Sequence, residues 1–484
     1  MREIRLHDTR SGRLLPLQPR SDRQVGIYVC GPTVYDRIHL GNARPYVVFS
    51  VLKRFLEHEG YAVRLVMNIT DINDKIYEAA AARSAGGRRL DSGSLAREMT
   101  ERYREDTDAL GLGRPDEEPS ASASIEAIIS YIERLIEQGH AYAAPIQGAE
   151  DGRADVYFRV RSDPSYGTLS HRRIEEMDQG EGIEGAERKE DPLDFALWKA
   201  HKQGEDSAWE SPWGRGRPGW HIECSAMAEA ALGVGFEIHG GGADLIFPHH
   251  ENEAAQSRCA HEREGAELAR LWVHNGMVQM TGEKMAKSLG NIAPLHEVLA
   301  RFGAHATVLF LLSGHYRQPL LYSSGALRDA QLGVARIGDA LRRLLPAASS
   351  PQGLSRHREQ FQAALADDFN TPRALAAIYG WVREANRRSA AGEEVGDQEL
   401  REMLSILGLG SLEASGHVAD PLQIEPRLAP LLKQREQARA QRDFARADAL
   451  REQIRTLGWE LRDAPGGPEL LPRSEGAPAP EPSG

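Results

Sequence analysis

Short apolar runs and a longer segment with helical periodicity alternate near the start of the chain. Residues 25–29 are mostly apolar and predict a buried strand, whereas apolar residues recur at helical spacing over 40–56. Residues 61–69, apolar and β-branched, predict a second strand. The order strand, turn, helix, strand is typical of a doubly wound α/β domain. Because ligands bind beyond the carboxyl ends of such strands, Cys30 and His39 lie where a functional site is expected.

The pattern changes further along the chain. Ser124 precedes apolar residues at helical spacing, which predicts a helix with Ser124 as its N-cap. The stretch 147–216 is rich in glycine, proline and charge, with one clear strand at 156–160, and we interpret it as part of an insertion. Residues 327–345 and 428–457 show helical patterns with few strand signals.

These patterns predict an α/β fold: a Rossmann-like, doubly wound parallel-sheet domain with an insertion, followed by C-terminal helical domains. The tail is predicted to be disordered because it is rich in proline, glycine and serine. The predicted boundaries are 1–120 and 217–300 for the split α/β domain, 121–216 for the connective insertion, 301–350 for a linking segment, 351–415 for a helical bundle, 420–465 for a small C-terminal module and 466–484 for the tail.

Composition narrows the class of protein. The chain has 484 residues, more than one hydrophobic core usually accommodates, so several domains are expected. Its three cysteines argue against a disulfide framework and favour a metal or a reactive thiol in a reducing compartment. Residues 1–17 lack a secretory signal, and no apolar run of about eighteen residues occurs, so we predict a cytoplasmic protein. The net charge of −12 decides little, because nucleic-acid binding needs only a local basic face.

Potential metal ligands occur in separate parts of the sequence. Cys30 follows the first strand, Cys224 opens a predicted helix, and His249 and Glu253 are four residues apart, which predicts one shared helix face. Two thiolates, an imidazole and a carboxylate suit zinc better than magnesium or calcium. The alternative is that the cysteines are small core residues and that His249 and Glu253 form an ordinary surface pair. Cys259 is expected in the core.

Two further motifs are typical of nucleotide binding. His39, Gly41 and Asn42 open the first helix, where glycine lets a nucleotide approach and helix N-terminal amides favour phosphate. Lys284 and Lys287 lie three residues apart in a glycine-flanked loop that can close over a triphosphate. A solvated surface loop is the alternative for the lysines. Together, and in this order, the two motifs are more specific than either alone.

The two motifs resemble the HIGH and KMSKS signatures of class I aminoacyl-tRNA synthetases. Longer segments resemble the cysteinyl-tRNA synthetase family in particular, namely 28–36, 68–75, 218–227 and 238–253. Two positions depart from the signatures. Asn42 stands where the second histidine is usual, and Ala286 replaces the usual serine.

The resemblance implies roles for individual residues. It implies a zinc ion held by Cys30, Cys224, His249 and Glu253. The thiolate of the substrate then binds this zinc as an additional ligand. It places Trp220 and His239 beside the cysteine substrate. It assigns ATP binding to Gly41, Asp244 and Lys287. It assigns stabilisation of the reacting phosphate to His39, Asn42, Lys284 and Lys287.

The implied reaction is ATP-dependent activation of L-cysteine to cysteinyl adenylate and transfer to the 3′-terminal adenosine of tRNA(Cys). One Zn²⁺ per subunit and Mg²⁺ with ATP are implied, and we expect a monomer without a membrane partner. Between 433 and 455, seven basic residues outnumber four acidic ones. A predicted helical stripe comprises Arg435, Arg439, Arg442 and Arg446. With the resemblance, 420–465 is interpreted as an anticodon-binding module in which Trp459 is a stacking platform.

Two alternatives stay open from the sequence. The first is a ligase with the same catalytic domain that joins cysteine to an amino sugar, as in mycothiol synthesis. The basic C-terminal module argues against it. The second is a zinc-stabilised RNA-binding protein without catalysis, and His39, Lys284 and Lys287 argue against that alternative because binding alone needs no pyrophosphate clamp.

Overall fold

A computed structural model describes most of the chain. The described residues are 2–84, 90–148, 152–177, 186–261, 267–280, 283–284, 292–412, 428–441, 443–457, 459–464 and 467–472.

Helices and strands alternate in the first two thirds of the described chain. Strands β1 to β15 are Arg5–Asp8, Arg13–Pro16, Gln24–Val29, Ala62–Met67, Ala141–Pro145, Ala154–Phe158, Phe195–Ala200, Gly216–Pro218, Phe236–Gly242, Ala269–Asn275, Val278–Met280, Glu283–Lys284, Leu320–Tyr322, Trp459–Ala464 and Gly467–Pro472. Helices α1 to α14 are Leu40–His58, Asp74–Ser84, Ser92–Asp108, Ile125–Glu137, Trp220–Leu232, Glu251–Ala260, Leu295–Phe302, Ala304–Ser313, Ser324–Leu341, Ser355–Ala366, Thr371–Ala390, Gln398–Ile406, Leu428–Ala440 and Phe444–Thr456.

A parallel sheet lies at the centre of the α/β domain. Its strand order is β10-β9-β3-β4, and each neighbouring pair is parallel. Five of the six residues of β3 are buried, as the apolar run at 25–29 predicts. Helix α1 packs its buried residues against this sheet, among them Val47, Phe49 and Leu52. The predicted parallel-sheet α/β fold with C-terminal helical domains is confirmed.

The insertion contains more strand than the sequence predicts. Its four strands, β5 to β8, form an antiparallel sheet in chain order. Only one strand was predicted between 147 and 216, and that prediction was incomplete because β7 follows a charged stretch and β8 is only three residues long. Strand β8 leads directly into α5, which carries Cys224. At the predicted cap of α4, Ser124 lies at the N-cap position but makes no side-chain capping bond.

A smaller sheet joins the α/β domain to the helices that follow. Strand β11 pairs antiparallel with β12 and parallel with β13. Helices α9 to α12 then pack around the fully buried Trp381 and continue the hydrophobic core of the α/β domain. In the described residues, no single helix is long and apolar enough to cross a membrane; α7 and α8 reach that standard only as a pair bent by 111°.

The C-terminal module differs from two predictions. The predicted arginine stripe does not lie on one helix, because α13 ends at Ala440 and Asp443 caps a new helix, α14. Arg435 is also buried, and Arg442 lies outside the described residues. Trp459 is not an exposed platform, because it packs with Leu428 and Ile454 in a small core. Strands β14 and β15 pair, and β15 lies within 466–484, the range predicted to be the tail.

Candidate active site

The N-terminus of α1 is organised by its own side chains. His39 is the N-cap, and its Nδ1 accepts hydrogen bonds from the amides of Gly41 at 3.1 Å and Asn42 at 3.3 Å. The Asn42 side chain in turn accepts from the His39 amide at 3.2 Å, which completes a capping box. Position 41 favours glycine because a Cβ there would lie 2.9 Å from the His39 ring. Asn42 therefore has a local structural function at the position where the class signature has histidine.

A cleft of about 580 Å³ brings several predicted site residues together. Its lining includes Cys30, the turn that starts α1, and Trp220 and Asp244 from the opposite part of the domain. The cleft lies at the carboxyl ends of β3 and β9, where ligands bind in sheets of this kind. The sequence prediction of a site at this edge therefore agrees with the position of the cleft.

The four predicted metal ligands converge beside this cleft. The potential ligand atoms of Cys30, Cys224, His249 and Glu253 all lie within 4.8 Å of one another, and all four residues are buried. The Cys30 thiol donates to Glu253 Oε1 at 3.5 Å, and His249 Nε2 lies 3.1 Å from the same oxygen. Two sulfurs, one nitrogen and one oxygen form a donor set that suits zinc.

The predicted helix that carries His249 and Glu253 begins with a turn of another helical type. His249 and Glu253 were expected on one helix, but α6 starts only at Glu251. His249 belongs to a π-helical turn, Ile246–His250, that contains Phe247 in an extended conformation. The π-helical turn continues without a break into α6, so His249 and Glu253 lie on one continuous helical segment and both side chains point to the same site.

The electrostatics of the two thiols differ. Burial raises the pKa of Cys30 well above its usual range, and the hydrogen bond with Cys224 adds to this effect. Burial also raises the pKa of Cys224, but hydrogen bonds with Cys30 and His249 outweigh it and lower that pKa to about 6. One thiolate is therefore readily formed, and a divalent cation would stabilise the second. The cluster fits a thiophilic divalent ion on these grounds.

A second group of potential ligands overlaps the first. Cys30, His239, His250 and Glu253 also have ligand atoms within 4.8 Å of one another. His250 was not predicted, although the doublet at 249–250 was a visible signal. Its Nε2 lies 3.3 Å from the Cys30 sulfur and its Nδ1 lies 2.6 Å from a nitrogen of His274. Burial lowers the pKa of His250 well below its usual range, and the adjacent histidines add to the effect, so the ring is neutral.

Two residues predicted beside the substrate lie in different surroundings. Trp220 is 37% exposed, lines the cleft and stacks on His249 with ring centroids 4.3 Å apart. His239 is fully buried on β9, and its Nε2 lies 2.8 Å from Glu253 Oε2. His239 is thus in contact with a predicted zinc ligand, whereas Trp220 faces the cleft.

The second nucleotide motif is only partly described. Lys284 lies on β12, where its backbone pairs with Gln279 of β11. The side chain of Lys284 and the whole of Lys287 and Ala286 lie outside the described residues. The structure therefore locates the start of the motif beside the sheet β12-β11-β13.

Three family models match successive parts of the chain. The tRNA synthetases class I (C) catalytic domain matches residues 16–332. The DALR domain matches 360–412, and the cysteinyl-tRNA ligase anticodon binding domain matches 423–467. The catalytic model thus covers more than half of the chain and includes the cleft and the metal cluster.

Solved structures with similar folds are class I synthetases. The Mycobacterium tuberculosis methionyl-tRNA synthetase in complex with methionyl-adenylate aligns with a TM-score of 0.57 and 18% identity, over 88% of this chain and 96% of that one. The LeuRS in a ternary complex from Agrobacterium radiobacter K84 aligns with a TM-score of 0.58 and 12% identity, over 85% of this chain and 88% of that one. At these identities the likeness concerns the fold.

Similarity in sequence is much closer and extends over nearly the full length. The cysteine–tRNA ligase of Halorhodospira halophila is 47% identical over 476 residues, which cover 96% of this chain and 98% of the relative. That of Alkalilimnicola ehrlichii is 46% identical over 480 residues, with the same coverage of both chains. The chain therefore belongs to the cysteine–tRNA ligase family.

Proposed function

We propose that this chain activates L-cysteine with ATP and transfers it to the 3′-terminal adenosine of tRNA(Cys). The observation that carries the proposal is the convergence of a buried two-thiol cluster and a capped helix N-terminus on one cleft. The cysteine carboxylate attacks the α-phosphate of ATP, which gives cysteinyl adenylate and pyrophosphate. The chain contributes position and charge, as in other phosphoryl-type transfers.

Zinc is the proposed occupant of the cluster, and its ligands are Cys30, Cys224, His249 and Glu253. Bound zinc would supply a thiophilic Lewis acid, which favours a thiolate over the alkoxide that serine would have to form. Trp220 packs on His249 and borders the cleft, so it bounds the space for the amino acid. His239 orients Glu253 through their 2.8 Å contact.

The proposed ATP site lies at the start of α1. The positive end of the α1 dipole and the His39 ring favour negative charge here, whereas the first amides of the helix already donate within the protein. Gly41 and Asp244 line the same cleft and are proposed to contact ATP, which carries Mg²⁺. Lys284 and Lys287 are proposed to neutralise the leaving pyrophosphate, and Asn42 contributes through the capping box and through hydrogen bonding.

The proposed RNA partner is tRNA(Cys), bound in part by the C-terminal module. The match to an anticodon binding domain over 423–467 supports this proposal. The same match favours the tRNA ligase over the mycothiol-type cysteine ligase, which would not need the module. A monomeric state and a cytoplasmic location stay predictions.

The direct test is transfer of labelled cysteine into acid-precipitable tRNA in the presence of ATP. We expect charging of tRNA(Cys) and cysteine-dependent exchange of pyrophosphate into ATP. Pyrophosphate exchange without tRNA charging would indicate that the acceptor of cysteine is a small amine, and it would favour the mycothiol-type alternative. Absence of both activities in zinc-loaded protein would contradict the proposed enzymatic activity and favour the non-catalytic RNA-binding alternative.

A further inference from the structure

We propose that Asp368 and Arg44 are positioning residues for ATP: they form the two ends of a buried polar relay between the helical region and the phosphate-binding elements. Asp368 lies in the turn between α10 and α11, and Arg44 lies on α1, just after the motif that starts this helix. The inference rests on the proposed function and adds residues that act on the reaction without touching substrate.

Asp368 is a buried carboxylate with several donors. It is 4% exposed, and its Oδ1 accepts from the His7 amide and from the Tyr316 hydroxyl, each at 2.9 Å. Its Oδ2 accepts from Arg317 Nε at 2.8 Å and Nη2 at 2.5 Å. Its neighbour on the other side is the ring of His315, with Nε2 at 3.6 Å from Oδ2. The carboxylate therefore accepts hydrogen bonds from Tyr316 and Arg317 and lies beside the ring of His315, in the segment 315–317 that leads from α8 to β13.

The backbone at Asp368 is strained. Asp368 has φ 60° and Phe369 has φ 45°, so two successive residues other than glycine adopt the left-handed conformation. Such a conformation persists only where surrounding contacts determine it. The donors around the carboxylate supply these contacts, and the turn is thereby held in one arrangement against 315–317.

Arg44 forms the other end of the relay. It is fully buried, and its Nη1 donates to the carbonyl oxygens of Gly276 at 2.6 Å and Met277 at 3.3 Å. Its Nη2 donates to the carbonyl oxygen of His315 at 3.2 Å. Burial lowers the pKa of Arg44 to about 10, so the guanidinium stays charged at neutral pH. These three acceptors are all backbone carbonyls, so the two Nη groups of the guanidinium hold the main chain of 276–277 and that of His315 in place.

The two ends meet in residues 315–317. His315 faces Asp368 with its ring and accepts from Arg44 with its carbonyl. Tyr316 binds Asp368 through its hydroxyl, and its carbonyl accepts from the Gly276 amide at 2.7 Å. Gly276 is packed so closely that a Cβ would lie 2.3 Å from the Gln318 carbonyl oxygen. Each of these two consecutive residues therefore links the helical turn to the segment at 276–277.

The segment at 276–277 leads directly into β11, and β11 carries β12 with Lys284. Strand β13, which follows 315–317, pairs with the other edge of β11. The relay thus holds both segments that support the start of the lysine motif, and it joins them to the helix that His39 caps. It sets the spacing between the two phosphate-binding elements, and none of its hydrogen bonds involves a proposed zinc ligand.

The test compares Asp368→Asn with Asp397→Asn in the full-length, zinc-loaded protein. Asp397 is a matched control because it is also fully buried and accepts from the Ala347 amide at 2.9 Å and from Arg401, all within the helical region. Steady-state pyrophosphate exchange is measured against ATP and against cysteine, with thermal unfolding followed for each protein.

For Asp368→Asn we expect the KM for ATP to rise about tenfold, because displaced phosphate-binding groups weaken ATP binding. The KM for cysteine should stay within about twofold, and both KM values should stay unchanged in Asp397→Asn. A mere loss of folded protein lowers kcat and alters neither KM. If the two variants have the same KM for ATP, the relay is structural only and the inference is wrong.

Arg44→Lys keeps the charge but loses the fork, and it tests the relay if Asp368→Asn does not fold. We expect the same ATP-selective rise in KM, and an unchanged KM for ATP would overturn the inference. If the unsubstituted protein shows no pyrophosphate exchange, the proposed function fails and the relay fails with it. If the unsubstituted protein is active, only the KM comparison decides on the relay.

Discussion

The metal cluster and the N-terminus of α1 border the same cleft but are built in different ways. The cluster combines residues from three separate parts of the chain, and all of them are buried. The start of α1 is formed by four consecutive residues, whose capping bonds close within one turn, and the Leu40 amide adds a bond to the carbonyl oxygen of Ala293 at 2.9 Å. The cluster therefore depends on packing throughout the domain, whereas the helix start depends on local chemistry. Substitutions at the two places should differ accordingly in size and in kind.

The largest effect is expected when the cluster loses a thiol. Cys224→Ser should abolish stable zinc binding and lower tRNA charging by about 10³-fold or more, because the variant loses the more easily ionised sulfur. Elemental analysis of dialysed protein and the charging assay measure both effects. Cys259→Ser is the matched control, since Cys259 is buried outside the cluster. It should cost about 1–3 kcal/mol of stability for the buried hydroxyl and leave zinc content unchanged. Equal loss of zinc in the two variants would contradict the proposal that Cys224 is a zinc ligand.

At the helix start, His39→Ala should separate capping from catalysis. Loss of a group that stabilises charge in the transition state lowers kcat by about 10²-fold, and loss of the cap costs about 1 kcal/mol. Ser323→Ala is the control, because Ser323 caps α9 by accepting from the Ala326 amide at 3.0 Å. It should show the loss of stability without the loss of rate. If the two variants had similar kcat values, His39 would act only as a structural cap of α1.

His239→Gln tests whether the cluster depends on a residue behind its ligands. We expect zinc affinity to fall about 10–100-fold, because His239 orients Glu253. Competition with a chromogenic chelator measures the affinity, and the KM for cysteine is measured at saturating zinc. A rise in this KM with unchanged zinc affinity would instead assign His239 to substrate binding.

The smallest effect is expected from Gly41→Ala. The added methyl group meets the His39 ring at 2.9 Å, so the capping box must shift at a cost of about 1 kcal/mol. Gly93 occupies the equivalent second position of α3, where a Cβ meets neighbouring atoms no closer than 3.5 Å. Gly93→Ala should therefore be neutral or stabilise the protein by up to about 1 kcal/mol. Chemical unfolding of both variants makes the comparison.

What the sequence predicts well is what depends on nearby residues. The strand at 25–29 and the helix that starts after His39 follow from periodicity and capping, and both are observed. The four proposed ligands also converge, but their identification rested on resemblance, because spacing alone left the alternative of core cysteines open. No local pattern indicates that His239 contacts the Glu253 carboxylate, or that His274 contacts the ring of His250, since tertiary contacts bring these residues together.

The wrong predictions have local causes as well. The arginine spacing between 435 and 446 fits one helix, but Asp443 competes for the backbone and starts a second one. Trp459 was interpreted as exposed because aromatic residues often stack on bases, yet the small module needs it for its core. An exposed aromatic side chain in this module is Phe444 instead, at 63% exposure.

The cap on α1 also determines how the ring of His39 can act. Because Nδ1 accepts two backbone amides, the neutral imidazole must carry its proton on Nε2. In the opposite tautomer, the proton on Nδ1 would point at the two backbone N–H donors, and the capping box would open. The helix terminus therefore preselects the tautomer that the proposed donation to a phosphate oxygen requires. Folding of the first turn thus also fixes which ring nitrogen of His39 carries the proton.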